Sequence, residues 1–273
     1  MNLIYNRNME SGTTYLEASL KNGHLMRWTF MPLRVYISPM KFYSKQGQDY
    51  KYRSLVRQAM QAWEKASNGK VSFKIVPTLL ESNVNIEWKR VERKALGYCT
   101  FQTDPNNRLY SAEVQIGLTE GLVHADYMDE DEVYHTILHE IGHALGLGHS
   151  PYKTDIMYTP HQKGVKKLSQ NDILTLKWLY ILPQGASVKD IGSKYGAAGS
   201  TIDEIVTKIR KKQNNSEFEQ VKNNIPQKPE RNLEEEQERL AMMRKHHMAL
   251  QNISLPENIR LELLKGKNKR KMP

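Results

Sequence analysis

The sequence predicts an α+β fold: a mixed domain over residues 24–182, a polar lead-in over 1–23, and a helical, charged, partly disordered extension over 183–273. Three observations predict it. In the first half, short runs with alternating apolar residues are interleaved with a segment of helical period. A histidine-bearing helix, VYHTILHEIGHALGLGHS, runs into a glycine turn midway. Beyond Leu182 the text changes to small-residue helical spacing, then to an Asn-, Lys- and Pro-rich stretch and a basic end. A chain of 273 residues has room for one domain of ordinary size plus an appendage.

Residues 1–23 show no periodicity and are expected to form a loose lead-in. In RWTFMPLRVYIS, Val35 and Ile37 alternate with Arg34 and Tyr36, a strand pattern. From Tyr50 to Asn68 the period is helical, with Leu55, Val56, Ala59, Met60, Trp63 and Ala66 on one side. Asn68-Gly69 ends that helix, since both residues accept the left-handed conformation. VSFKIV and NVNIEW read as two more strands.

The chemistry is concentrated in DEDEVYHTILHEIGHALGLGHSPYKTDIMY, residues 129–158. His139 and His143 are about one helical turn apart, so their imidazoles leave one face. Glu140 is rotated away from that pair and can reach a water rather than a metal. Gly146 lets the chain leave the helix, which brings His149 back toward the other two. Three neutral imidazoles with an open fourth position describe a single catalytic Zn2+, because structural zinc sites are closed by four protein ligands. Zinc brings the pKa of bound water to about 7 and polarises a carbonyl, and a carboxylate beside it can move the proton to a leaving amine. The competing reading, an amphipathic helix with surface histidines, accounts for an isolated His-Glu-x-x-His. It does not account for the extended His-Glu-x-x-His-x-x-Gly-x-x-His followed by Met157.

HEIGHALGLGHS followed by DIMY resembles the metzincin zinc peptidases, and the serine after the third histidine, Ser150, resembles the matrixins among them. The likeness covers about Arg27 to Leu182. It implies a zincin-like domain with a twisted, mostly parallel five-stranded sheet, an antiparallel edge strand and three helices. It implies that His139, His143 and His149 bind zinc and that Glu140 is the general base of a metalloendopeptidase. Met157 becomes the Met-turn methionine, an apolar floor under the metal. Leu96–Gln102 matches the edge strand bounding the cleft and Ala112–Leu118 the strand after it. An edge strand offers unpaired backbone groups to an extended peptide, so Gly97, Tyr98, Cys99, Thr100 and Phe101 are the expected contacts of a protein or peptide substrate.

Several features depart from familiar members. Tyr98 stands where a structural-zinc histidine is expected and the next strand has none, so no second zinc is predicted; His124, His135 and His161 read as surface residues. Asp129, Glu130, Asp131 and Glu132 are expected to complement the helix dipole, with calcium binding as the weaker alternative. YTPHQKGVKK is implied to form a wall of the specificity pocket. LSQNDILTLKWLY reads as a closing helix with Ser169 as N-cap, Asp172 three residues on, and Ile173, Leu176 and Leu179 inward.

Cys99 is the only cysteine, which excludes an intramolecular disulfide; no cysteine-switch propeptide is visible. Matrixins are commonly extracellular, yet Met1–Tyr15 shows no signal peptide, and no apolar run approaches the ~20 residues of a membrane span. The net charge of +10 favours anionic partners. Ser187–Lys212 has helix-turn-helix spacing that would bind DNA or a protein partner, but Asp203 and Glu204 sit where a groove-reading helix needs basic or amide side chains, which counts against nucleic acid and favours a helical appendage packed on the domain. A linker over 213–229, a charged helix over 232–252 and a basic tail complete the extension.

Overall fold

The computed structural model describes residues 12–40, 48–91, 96–120, 130–213 and 241–242. By internal contacts the chain divides into residues 1–226 and 227–273; everything below concerns the first unit. The linker, charged helix and basic tail expected after residue 213 lie outside the described residues, apart from the helical 241–242. His124 and Asp129 lie outside them too.

Among the described residues seven strands and five α-helices follow in order: β1 (Leu20–Lys21), β2 (His24–Leu25), β3 (Leu33–Ile37), α1 (Gln48–Ala66), β4 (Phe73–Ile75), β5 (Val84–Val91), β6 (Gly97–Thr103), β7 (Leu109–Glu120), α2 (Glu130–Ala144), α3 (Gln170–Leu179), α4 (Val188–Lys194) and α5 (Ile202–Gln213). The main sheet has the order β4-β3-β5-β7-β6. Its pairings are parallel except β6 with β7. Parallel neighbours need a crossover, and α1 supplies it between β3 and β4. The short turn at Asp104–Arg108 lets β7 fold back on β6, closed by Asp104 N–H to Arg108 O at 3.0 Å. This is the mostly parallel five-stranded sheet with an antiparallel edge strand that the resemblance implied.

β3 alternates buried and half-buried residues, with Leu33, Val35 and Ile37 inward. Val56, Ala59, Met60 and Trp63 of α1 are buried, whereas Leu55 and Ala66 are only partly so. Asn68 (φ 51°) and Gly69 (φ 79°) end α1 in the left-handed region. α2 packs on α1, β6 and β7. Ser169 caps α3, with the reciprocal bond from Asp172 in place. Of its expected inward face, Leu176 and Leu179 are buried, but Ile173 is only half-buried and Leu174 lies deeper. α3 is covered on two sides, by α1 and by the turn at residues 16–19, so its buried surface is wider than one stripe.

Over residues 12–23 the loose lead-in is corrected, while residues 1–11 lie outside the described residues. Tyr15 and Leu16 are buried, Leu16–Ser19 forms a 3-10 turn, and β1 and β2 make a hairpin. The hairpin turns at Asn22 (φ 52°) and Gly23 (φ 74°), the pair best suited to a two-residue loop. Two apolar side chains in polar text carry no period, so the sequence hid this anchor. The extension begins on the same hairpin: Val188 N–H donates to Gly23 O at 3.0 Å and Gly185 N–H to Leu25 O at 3.1 Å. Ile191 and Ala197, with Ile202, Ile205, Val206 and Ile209 of α5, join the core. Among the described residues no helix is long and apolar enough to cross a membrane.

Candidate metal centre

α2 is held by its own backbone carbonyls. Trp63 Nε1–H donates to Leu138 O at 3.0 Å, Trp28 Nε1–H to Ala144 O at 2.7 Å, and the Tyr180 hydroxyl to Leu145 O at 3.1 Å. Two of these carbonyls lie at the C-terminal end, where the helix has no internal donors left. Gly146 (φ 98°) then reverses the chain, with Leu147 N–H on Gly142 O at 3.0 Å. The turn is closely enclosed: a Cβ on Gly146 would stand 2.7 Å from Met26 O, and one on Gly148 only 1.9 Å from Ala18 O.

This framework brings together His139, His143 and His149, whose ligand atoms lie within 4.8 Å of one another. His143 Nε2 stands 3.0 Å from His139 Nε2 and 3.1 Å from His149 Nε2. His139 Nδ1 meets Ile156 O and His143 Nδ1 meets Leu147 O, both at 2.8 Å. A nitrogen facing a carbonyl must carry the hydrogen, so the lone pairs of these two rings sit on Nε2, aimed at a common point. Burial, then the neighbouring His143, pulls His139 down to about 3, and burial pulls His143 down to about 4; burial lowers His149 as well. Neutral imidazoles converging through lone pairs fit a cation of zinc's preferences.

Glu140 points to the other side. It is buried, and burial pushes its carboxyl up to about 8. Its Oε2 has no hydrogen-bond partner among the described residues. Across from it runs β6, so close that a Cβ on Gly97 would stand 2.6 Å from Glu140 Oε1. Among the described residues β6 pairs with β7 alone, so no strand lies along its outer edge at Gly97, Tyr98, Cys99, Thr100 and Phe101. Tyr98 and Thr100 are exposed, while Gly97, Cys99 and Phe101 are half-buried. Burial first, then the carboxylates of Glu140 and Glu113, pushes the Cys99 thiol well up, which keeps it a poor nucleophile.

Met157 is fully buried beneath the helix, and a Cβ on Gly142 would fall 2.3 Å from its sulfur and 3.0 Å from Trp63. Its turn is fixed by Asp172, which accepts Ile156 N–H at 2.9 Å and the Tyr15 hydroxyl at 2.7 Å. Ser150 N–H donates to Met157 O at 2.8 Å and its hydroxyl to buried Asp155 at 2.5 Å. Tyr15 and Asp155 were missed by sequence reasoning; nothing in polar surroundings marks a residue that will be sealed inside.

Glu130, Asp131 and Glu132 occupy the first turn of α2, where Glu130 pairs with Lys51 and Asp131 with Lys166. The surface reading of His135 is overturned, whereas His161 is half-buried on its loop. His135 is buried, its Nδ1 is 2.7 Å from Val165 O, and its ring lies 3.9 Å from that of half-buried His161. The loop after Met157 folds over α2 and carries both Val165 and His161 inward. Neither histidine joins the three-membered cluster.

Residues 35–181, more than half of the chain, match the matrixin family model, peptidase family M10. A matrix metalloproteinase of Heliothis virescens ascovirus 3e is 27% identical over 130 residues, 42% of this chain and 27% of that protein. A matrix metalloproteinase of Invertebrate iridescent virus 3 is 40% identical over 63 residues, 23% of this chain and 17% of that protein. The chain thus spans well under half the length of either relative. With the fold, the histidine cluster and the family match in agreement, this chain belongs to the matrixin family.

Proposed function

We propose that the protein is a zinc-dependent metalloendopeptidase whose peptidase domain occupies residues 24–182, with 183–273 as an extension. The observation that carries the reading is the convergence of three imidazole Nε2 atoms next to a buried carboxylate and a strand edge. His139, His143 and His149 would hold one Zn2+, with the first two rings oriented by Ile156 O and Leu147 O. Bound zinc supplies Lewis acidity, bringing the pKa of a water to about 7 and polarising a carbonyl.

The remaining work falls to the chain itself. An extended peptide lies along Gly97–Phe101, taking the backbone donors and acceptors that β7 leaves unused. That places the scissile bond between β6 and α2, beside Glu140. Glu140 accepts the proton of the attacking water and returns it to the departing amine nitrogen. Its buried, unpaired Oε2 is the atom available to take that proton. Met157 and Trp63 close the underside of α2, so the metal face is the side open to substrate.

The test is cleavage of a mixed peptide library by the purified chain, with zinc content measured on the same sample. Cleavage abolished by chelator and by Glu140→Ala, with zinc retained in that variant, is the expected result. A chain that takes up no zinc would sink the reading.

A further inference from the structure

The turn that carries His149 rests on the N-terminal segment, and that segment is held by the C-terminal extension. Gly148, one residue before His149, donates its N–H to Ser19 Oγ at 2.9 Å and lies flush against Ala18. At the other end of the segment, the Tyr15 hydroxyl meets Asp172, Asp172 holds Ile156 N–H, and Ile156 O holds His139 Nδ1. Residues 15–19 therefore reach two of the three histidines through hydrogen bonds. What fixes these residues is Asp203 of α5. Its carboxylate accepts Leu16 N–H at 2.8 Å, Glu17 N–H at 3.1 Å and the Thr14 hydroxyl. Three donors on one carboxylate make a strong anchor. α5 is itself seated by buried Ile202, Ile205, Val206 and Ile209, and Arg210 donates to Gly12 O at 2.8 Å.

Resting on the metal-centre reading above, we propose that Asp203 is a positioning residue for that centre. Through residues 14–19 it fixes the His149 turn, so the extension is part of the metal site's support rather than a separate module. Outer partners of metal ligands typically alter affinity by 10–100-fold. Asp203 acts several contacts further out, through residues 14–19, which sets the expectation at the lower end.

The experiment loads the full-length chain with cobalt(II) and follows two readouts: the visible ligand-field spectrum and the rate of metal release to excess chelator. Asp203→Ala is expected to perturb the spectrum and speed release by about tenfold, with Asp203→Glu restoring part of the loss. Ser19→Ala, which removes the acceptor of Gly148 N–H, is expected to move both readouts in the same direction, and it decides the matter if Asp203→Ala does not fold. Glu204→Ala is the control. That side chain accepts Thr201 N–H within the start of α5 and makes no hydrogen bond to residues 14–19, so it should lower the melting temperature without changing spectrum or release. Wild-type release rates and spectra in both Asp203→Ala and Ser19→Ala would overturn the inference and leave the metal centre standing. A wild-type chain that takes up no cobalt would overturn both.

Discussion

Two groups of histidines lie side by side on α2. His135, His139 and His143 follow one another at four-residue steps and share a helix face, yet His135 belongs with His161 and not with the metal-type cluster. Its environment is hardly different: His135, like its two neighbours, gives Nδ1 to a carbonyl and is pulled down chiefly by burial. The difference is reach. His135 and His143 are eight residues apart, about 12 Å along a helix, whereas one zinc ion needs all its nitrogens at about 2 Å. A straight helix can offer only two imidazoles to one ion. The third must come from a chain reversal, which Gly146 provides. Residue type and helical phase nominate ligands, and the turn selects among them.

The largest effect that would test this contrast is His143→Ala. It should take zinc from one per chain to none, with peptide cleavage lost, as measured by metal analysis and assay on one sample. Glu140→Gln comes next: zinc retained and cleavage reduced by about 10²–10⁴-fold, the usual worth of a positioned base. Intact turnover in that variant would remove Glu140 from the mechanism. Gly142→Ala adds a methyl where Met157 sulfur and Trp63 already stand. Overpacking of this kind costs about 1–3 kcal/mol, readable as a lower denaturant midpoint with no new polar group to blame.

The pH response of the chelated protein sharpens the same comparison. His139 and His143 titrate near 6.5 when unfolded but are held at about 3 and about 4 in the fold. Below pH 6.5 the unfolded chain binds protons that the native state refuses. Stability of the metal-free protein should therefore fall as pH drops from about 6.5 toward 4, and His143→Ala should flatten that slope. A melting temperature independent of pH over this window would contradict the assignment. The smallest effect belongs to His135→Leu, which should leave zinc content unchanged; loss of zinc there would erase the distinction between the two groups.

Much of this was legible in the linear text. Alternation at Val35 and Ile37, helical period through Trp63 and the cap at Ser169 are local, and local preferences survive folding because tertiary contacts agree with them. The spacing from His139 to His149 was legible because helix pitch and one glycine turn translate directly into distance. What failed to show were contacts joining parts of the chain far apart. Tyr15 on Asp172 and Asp203 on Leu16 each span more than a hundred residues, and no periodicity announces them. For the same reason His135 read as surface until the loop carrying Val165 closed over it.

By itself, then, the sequence determined the elements from β3 to α3, the pair of imidazoles on one helix face and the reversal that adds a third. These follow from bond geometry and from periods of two and 3.6 residues. Only the tertiary structure decided which buried polar groups would be satisfied by whom: the carbonyls that orient His139 and His143, the carboxylate of Asp172 under the Met157 turn, and the anchoring of residues 14–19 by α5. A buried donor or acceptor must find a partner wherever the fold places one. That requirement acts through space, and distance along the chain does not enter it.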